Sequence, residues 1–585
     1  LNLNPLFDTI FRLPVSSRGK YAALHILAEY QANAITPTLS LANEMLEAIR
    51  HESNVAQSAS ALFVSVIEKN SSSKMDWWTE PVMTALIDPD IRTRTRTATF
   101  LLPKLFKSKK INATKTLMTL LEERTHHDER WLWATCALLT EVRKSTKCPI
   151  QETIQMYTNQ KDDSFLRDAL VHTHEEVRSV ALSAVMMSGN QEEIDLVRYF
   201  LCNEGLRTND PKFRDTVSYH FSNFLSRVRK NTTFLSFLVK HLEQQELYPG
   251  SPFSRSSLGI RLLRDVQSVC RQFRMSENVL NTVMHNMFSR FNDNRLESFQ
   301  FVLEEIKRGN KICFELWYPR AQRGIESTRL YVAEGGTLAM RVLVRMSQDV
   351  MKELNKMVNT IRNLTPGKIP GHLQCLRAML RELKNESHFS TDLSDSLLDI
   401  GEWTLKLSLN EVTSENSSVI AKANISLDKE QRHVVAAWLT TKESSNLLAD
   451  VIVIFDRVDQ ANRVMELLVH TLLNARHQGA VSKAAEALET VCTYLNSTDL
   501  PSKWLDRMFE YLNSKDTSPK LRRSAGFGAA VRALVRSCSK MSRRCFETLI
   551  RTSEDETRSV LVRVHALNVR VVFEREVFEC EAREF

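Results

Sequence analysis

His174-Glu-Glu-Val-Arg178 runs directly into Ala181-Leu-Ser-Ala-Val185: an acidic turn, then Val and Arg, then a helix with Ala and Leu on one face. The same order recurs at Asp88-Pro-Asp-Ile-Arg92, ahead of the apolar helix ending Phe100-Leu-Leu-Pro-Lys-Leu-Phe106. Weaker copies are His127-Asp-Glu-Arg130 before Trp131-Leu-Trp-Ala-Thr-Cys-Ala-Leu-Leu139, and Asp210-Pro-Lys-Phe-Arg214 before Val217 to Phe224. This is the pattern of helical-hairpin repeats of the HEAT kind, in which the acid caps the second helix and the arginine spans the turn to the next repeat. A hairpin cannot bury its apolar face alone, so the copies must stack. The expected fold is all-α, a HEAT/armadillo-like α-solenoid built as a superhelical stack of antiparallel helix pairs.

Composition agrees with that reading. The 585 residues exceed what one core supports, so the chain is either several domains or a continuous array. Gly and Pro number 15 each, about half of the usual ~7% and ~5%, which leaves few turns. Turn residues concentrate at Tyr248-Pro-Gly-Ser-Pro-Phe253 and Leu364-Thr-Pro-Gly-Lys-Ile-Pro-Gly371, and a polar run extends from Glu411 to Asp428. We read these as interruptions of one solenoid, with a boundary near 250 separating an N-terminal array, 1–250, from continuing repeats, 251–585. The chain starts at Leu1 and stops at Phe585 just after a helix-like run, as a fragment would.

Catalytic and cofactor signatures are missing. There is no GxGxxG after a strand, no GxxxxGK[ST], no HExxH and no GxSxG, so no cofactor is expected. Gly335-Gly336 reads as a turn, and Trp77, Trp78, Trp131 and Trp133 read as repeat core. The ten cysteines form no CxxC pair, which predicts buried thiols rather than zinc or disulfides. No apolar run of about 18 residues provides a membrane span.

The exception to this bland texture is Lys515 to Arg544, with nine Lys or Arg residues against one acid, Asp516. That difference of eight equals the formal net charge of the whole chain, +8. On a helix, Arg522, Arg532, Arg536 and Lys540 fall on one face with Ala525 and Ala529 between them. Phe527, Val531, Leu534, Val535 and Cys538 share the opposite face. Arginines beside small residues, Arg522-Arg523-Ser524-Ala525-Gly526, suit a docking surface that a phosphate backbone or a partner helix approaches closely. The competing reading is a solvated face on an amphipathic helix.

Four segments in order carry a family resemblance: Trp438-Leu-Thr-Thr-Lys-Glu-Ser-Ser-Asn-Leu-Leu448, Leu472-Leu-Asn-Ala-Arg-His-Gln-Gly-Ala480, Leu521-Arg-Arg-Ser-Ala-Gly526 and Val564-His-Ala-Leu-Asn568. From about residue 435 onward the chain resembles the THADA family, the thyroid adenoma-associated proteins with their fungal relatives that partner a tRNA ribose methyltransferase. The family's central domain of unknown function would then span about 280–545. The resemblance implies a non-catalytic, cytoplasmic subunit without a cofactor of its own. Its partner would be an FtsJ-type methyltransferase, and together the two would methylate the 2′-hydroxyl of the first anticodon-loop nucleotide of certain tRNAs. It also adds Lys442, Arg476 and His477 to the candidate partner- or RNA-binding residues. The alternative is a pure protein-interaction HEAT scaffold, such as a regulator of a membrane calcium pump or a karyopherin-like adaptor.

Overall fold

In a computed structural model, residues 9–30, 35–70, 77–108, 113–122, 128–157, 163–327, 329–347, 350–384, 390–413, 427–475, 477–513, 526–536 and 539–570 are described. They form helix after helix joined by short turns, and no strand occurs among them. The chain divides into two compact units, Leu1–Val283 and Met284–Phe585. The turn-rich run at 248–253 lies inside the first unit.

In the first unit the second helix of each hairpin packs on the second helices of its neighbours, in the order α1 (Ile91–Arg96, continuing through a π-helical turn into Leu102–Lys107), α2 (Glu129–Thr146), α3 (Glu175–Val185), α4 (Pro211–Val228) and α5 (Phe253–Val269). Side-chain caps start three of them: Asp90 accepts from the Arg92 amide at 3.0 Å, Asp128 from the Trp131 amide at 2.9 Å, and Asp210 from the Lys212 amide at 3.0 Å. At α3 the cap residue is His174, whose side chain makes no capping bond; Glu175 and Glu176 occupy the first turn instead, facing the positive end of the helix dipole.

A buried arginine follows each of three caps four residues later, at Arg94, Arg178 and Arg214. Arg178 does span the turn. It donates to the His172 carbonyl at 2.6 Å and to the Arg207 carbonyl, and lies 4.7 Å over the Phe213 ring. Arg94 likewise donates to the Asp88 carbonyl at 2.8 Å and lies 5.6 Å over Trp133, while Arg214 lies 5.7 Å over Phe253. The repeat pattern in the sequence puts Arg92 in this role, but Arg92 is exposed. The cap is Asp90 rather than Asp88, which slides the register by two and puts Arg94 in the inter-helix position. Trp77, Trp78, Trp131 and Trp133 are buried as expected, and the Trp131 indole donates to the Leu121 carbonyl at 3.0 Å.

The second unit repeats the row of stacked helices but binds it differently. The row runs through α6 (Asn292–Lys307), α8 (Leu330–Met346), α9 (Ile369–Leu383), α11 (Leu427–Ile454), α13 (Gln478–Tyr494) and α15 (Gly526–Arg536), with α7 (Phe314–Ile325), α10 (Thr391–Thr413), α12 (Ala461–Asn474) and α14 (Leu500–Asn513) packed beside it. Ion pairs join successive members. Arg295 of α6 meets Glu334 of α8; Arg341 and Arg345 of α8 straddle Glu382 of α9 at 2.7 and 2.5 Å. Arg377 and Arg381 of α9 then hold Asp450 of α11 at 2.9 and 2.7 Å, and Arg377 also meets Glu443.

Gly335 and Gly336 are not in a turn. They sit mid-helix in α8, where a Cβ on Gly336 would fall on the backbone of α7, 2.7 Å from the Gly324 carbonyl carbon and 2.8 Å from the Ala321 oxygen. Mid-helix glycine costs about 1 kcal/mol relative to alanine, and here the close approach of two helix backbones requires it. Five cysteines, at 136, 270, 375, 492 and 545, are buried, and burial pushes the thiols of Cys136, Cys375 and Cys545 up to about 12. Among the described residues no helix is long and apolar enough to cross a membrane, and no His, Cys, Asp and Glu cluster has the make-up of a metal site.

Candidate partner and nucleic-acid interface

The apolar half of the amphipathic reading at α15 holds. Phe527, Val531 and Leu534 are fully buried and Val535 is 1% exposed. Ala529, Ala530 and Ala533 are buried too, because α15 is enclosed by α12, α13, α14 and α16 (Ser539–Glu554). The cationic side is therefore narrower than a helical wheel suggests. Within α15 it consists of Arg532, half-buried, and Arg536, exposed and 3.7 Å from Glu489 of α13. That pair extends the inter-helix ion-pair ladder to its most exposed rung. Arg522, Arg523, Ser524, Ala525 and Arg476 lie outside the described residues, as do the side chains of Lys540 and Cys538.

The glycine at 526 faces inward. A Cβ there would overlap the Leu472 carbonyl oxygen and stand 3.1 Å from the Leu472 Cα. The small residue thus seats α15 against the end of α12 instead of leaving space for an external phosphate or helix, which corrects the reading from the sequence.

The same contact belongs to a chain of contacts that draws the four family-like segments together. Trp438, on α11, stacks on His477, at the start of α13, with centroids 5.4 Å apart and planes at 15°. Leu472, which opens the second segment, carries the carbonyl that Gly526 meets. Phe527, the next residue after the third segment, lies 5.7 Å from His565 on a helix at 560–570, α17. Segments separated by some 40 to 60 residues in sequence are packed pairwise in order. Burial lowers the pKa of His565, so its ring packs uncharged. The His477 Nδ1 is buried and has no hydrogen-bond partner.

Lys442 pairs with the neighbouring Glu443 at 3.0 Å and is 28% exposed. The pair's carboxylate is the buried partner of Arg377, so the Lys-Glu element of the first segment has a structural duty on its acidic side. Thr441 and Ser444, next to it, meet Ser408 and Thr404 of α10 through hydroxyl hydrogen bonds of 2.9 and 2.7 Å. Sequence reasoning passed over Arg377, Arg381, Glu443 and Asp450. The available signal was two acids seven residues apart on a helix otherwise lined by Leu, Ala and Val, and two arginines four apart on another.

Comparison with known proteins follows the same division of the chain. Residues 75–235 match the family model described as Trm732, TPR repeats, and residues 340–585 match the model described as THADA/TRM732, DUF2428. No curated protein matches the sequence. Among solved structures, Kap121p bound to Pho4p has 11% identity and a TM-score of 0.50, with 91% of this chain and 53% of that chain covered. A Kap121p mutant has 12% identity and a TM-score of 0.50, covering 96% of this chain and 56% of that one. At such identity the likeness shows the solenoid fold alone, and the chain spans just over half the length of those structures. The two family models lie in order along the sequence, and the segments that first suggested the family are packed together within the second of them: the chain belongs to the THADA/Trm732 family.

Proposed function

We propose that this chain is a non-catalytic scaffold subunit that binds an FtsJ-type methyltransferase and tRNA in the cytoplasm, supporting 2′-O-ribose methylation of the first anticodon-loop nucleotide. Its family domains support a tRNA-modification-associated role. The observation that supports the finer reading is the pairwise packing of the four segments, which joins α11, α12, α13, α15 and the helix at 560–570 into one run of helices that carries Arg532 and Arg536 on α15. Recognition of an RNA loop relies on phosphates, shape and splayed bases. A rigid stack that carries arginines at fixed spacing supplies the phosphate contacts, and the partner supplies the chemistry.

The experiment is charge reversal with the fold monitored. Changing Arg522, Arg523, Arg532 and Arg536 together to Glu should abolish copurification of the methyltransferase or tRNA and the anticodon-loop methylation it supports, with an unchanged thermal midpoint. Each phosphate contact removed should also flatten the log-log salt dependence of tRNA binding by about one unit. A variant that keeps its midpoint, its partners and the methylation would reduce these arginines to a solvated face and overturn the reading.

A further inference from the structure

In the first unit α3, α4 and α5 end along one edge, where the chain turns back into the helices that follow them. Contacts join neighbouring turns along that edge. A Cβ on Gly189, just beyond α3, would strike Val228 at 2.9 Å and Arg227 at 3.2 Å. Arg227, in the last turn of α4, donates to the Met186 carbonyl at 2.7 Å, and the Sγ of Cys270, just beyond α5, lies 3.9 Å from the Leu225 carbonyl of α4. Burial raises the pKa of the Cys270 thiol and the charge of Arg229 opposes the rise, which sets Arg229 beside the turn after α5.

This edge is cationic. Arg227, Arg229 and Lys230 close α4, and Arg271 and Arg274 follow α5; all five are exposed. The sequence holds no Asp or Glu from 216 to 242 or from 266 to 276, and the turn after α3, 186–190, has no charged residue. Helix C-termini favour cations, and Arg227 has that structural duty through the Met186 carbonyl. Arg274 is engaged as well. Arg229, Lys230 and Arg271 lie past the helix ends instead, and their side chains have no ion-pair or hydrogen-bond partner among the described residues. Of the carboxylates nearest in sequence, Glu193 is buried against Arg143 and the Ser188 and Gly189 amides, and Asp265 is bonded to Ser218. Glu192 and Glu277, at the starts of the next helices, are exposed. Arg227, Arg229, Lys230 and Arg271 against those two leave four cations to two carboxylates, a formal charge of +2.

We propose that the two adjacent turns, 227–230 and 271–274, form a second contact for the tRNA phosphate backbone, on the first unit and apart from the arginines of α15. Cations without a carboxylate partner take a phosphate with no ion pair to break first. Guanidinium groups present paired donors to phosphate oxygens. Arg229 and Arg271 belong to neighbouring helices, packed ~9 Å apart, so one strand of backbone reaches both. Phe273, half-buried between Arg271 and Arg274, offers a ring on which an unstacked base can lie. An acidic peptide has carboxylates for the same charges but no base for the ring. The inference rests on the reading that this chain holds tRNA, and adds where on the first unit the tRNA lies.

The test uses the full chain and fluorescence anisotropy across a salt series, with a labelled tRNA transcript and a labelled decapeptide of glutamate as probes. Arg229→Glu, Lys230→Glu and Arg271→Glu together should weaken tRNA binding by about tenfold or more and flatten its log-log salt dependence by about two to three units, at ~0.7–0.9 per phosphate contact. The thermal midpoint should hold, because these side chains have no partners to lose. The same three positions changed to Gln should act in the same direction, whatever the reversal does to the midpoint. Reversing Arg92, Lys212 and Lys240 instead, three exposed cations of the same unit away from this edge, should leave the slope unchanged. Wild-type affinity and slope in both triple variants, or an equal loss in the control, would overturn the proposal. So would a wild-type chain that binds the glutamate peptide as tightly as tRNA and loses only the peptide in the variants. A wild-type chain that binds no tRNA removes the function proposed above together with this site. Binding of tRNA that is lost on reversing the α15 arginines but untouched by the triple changes removes this site alone.

Discussion

The two units solve one problem in different ways. Both must join successive second helices across a hairpin, and both use buried arginine. In α1, α3 and α4 the arginine ends on carbonyl oxygens or aromatic rings, as Arg178 does on the His172 carbonyl and Phe213. In α6, α8 and α9 it ends on a carboxylate of the next helix, as Arg377 does on Asp450. Arg143 with Glu193, at 2.5 Å, is a carboxylate pair within the first unit, so the division is one of emphasis. A carbonyl left without its arginine is a neutral orphan; a carboxylate left without its arginine is a buried charge. The second unit is therefore more brittle toward loss of a single cation.

The sharpest break of that contrast is Arg377→Ala. It removes the guanidinium shared by Glu443 and Asp450, 3% and 6% exposed, and leaves them only Lys442 and Arg381 among the described residues; weakening a buried pair in this way costs up to about 3–5 kcal/mol. We expect the largest fall in chemical-denaturation midpoint of any single change here, and a fall under 1 kcal/mol would erase the distinction between the units.

Gly526→Ala comes next, at about 3 kcal/mol, because overpacking against the fixed Leu472 carbonyl has no flexible side chain to yield. Gly528→Ala is its control. A Cβ there makes ordinary 3.5 Å contact with Val569, so helix propensity should stabilise by up to about 1 kcal/mol. Opposite signs in thermal unfolding are the expected result.

Arg178→Ala should cost about 2 kcal/mol, the range for leaving buried neutral acceptors unsatisfied, and the comparison between units requires it to fall below Arg377→Ala. Asp210→Ala, which removes one cap, should cost about 1 kcal/mol.

The remaining effect is a pH dependence. His220 has a folded pKa of about 4 against an ordinary value of 6.5, so the unfolded chain binds its proton first and acidification favours unfolding. Its contribution is complete above about pH 6.5 and is lost as pH falls toward about 4, no more than about 2 kcal/mol at pH 5. His220→Gln should narrow the difference in midpoint between pH 7 and pH 5; an unchanged difference would locate the acid sensitivity in other buried histidines.

The sequence by itself determined the helical repeat class, because an acid before an apolar run at 3.6-residue spacing is a local signal that caps and stacks wherever it occurs. It also marked the packed side of α15 and the four segments of the family, since apolar spacing and short collinear motifs survive in one dimension. Only tertiary structure decided the register of the turn-spanning arginine, where Asp90 took the cap and moved the role from Arg92 to Arg94. The same is true of Gly336 and Gly526, whose reason is the backbone of another helix, and of Glu443, whose partner lies 66 residues away. Those choices depend on which helix faces which, and that information exists only when the stack is assembled.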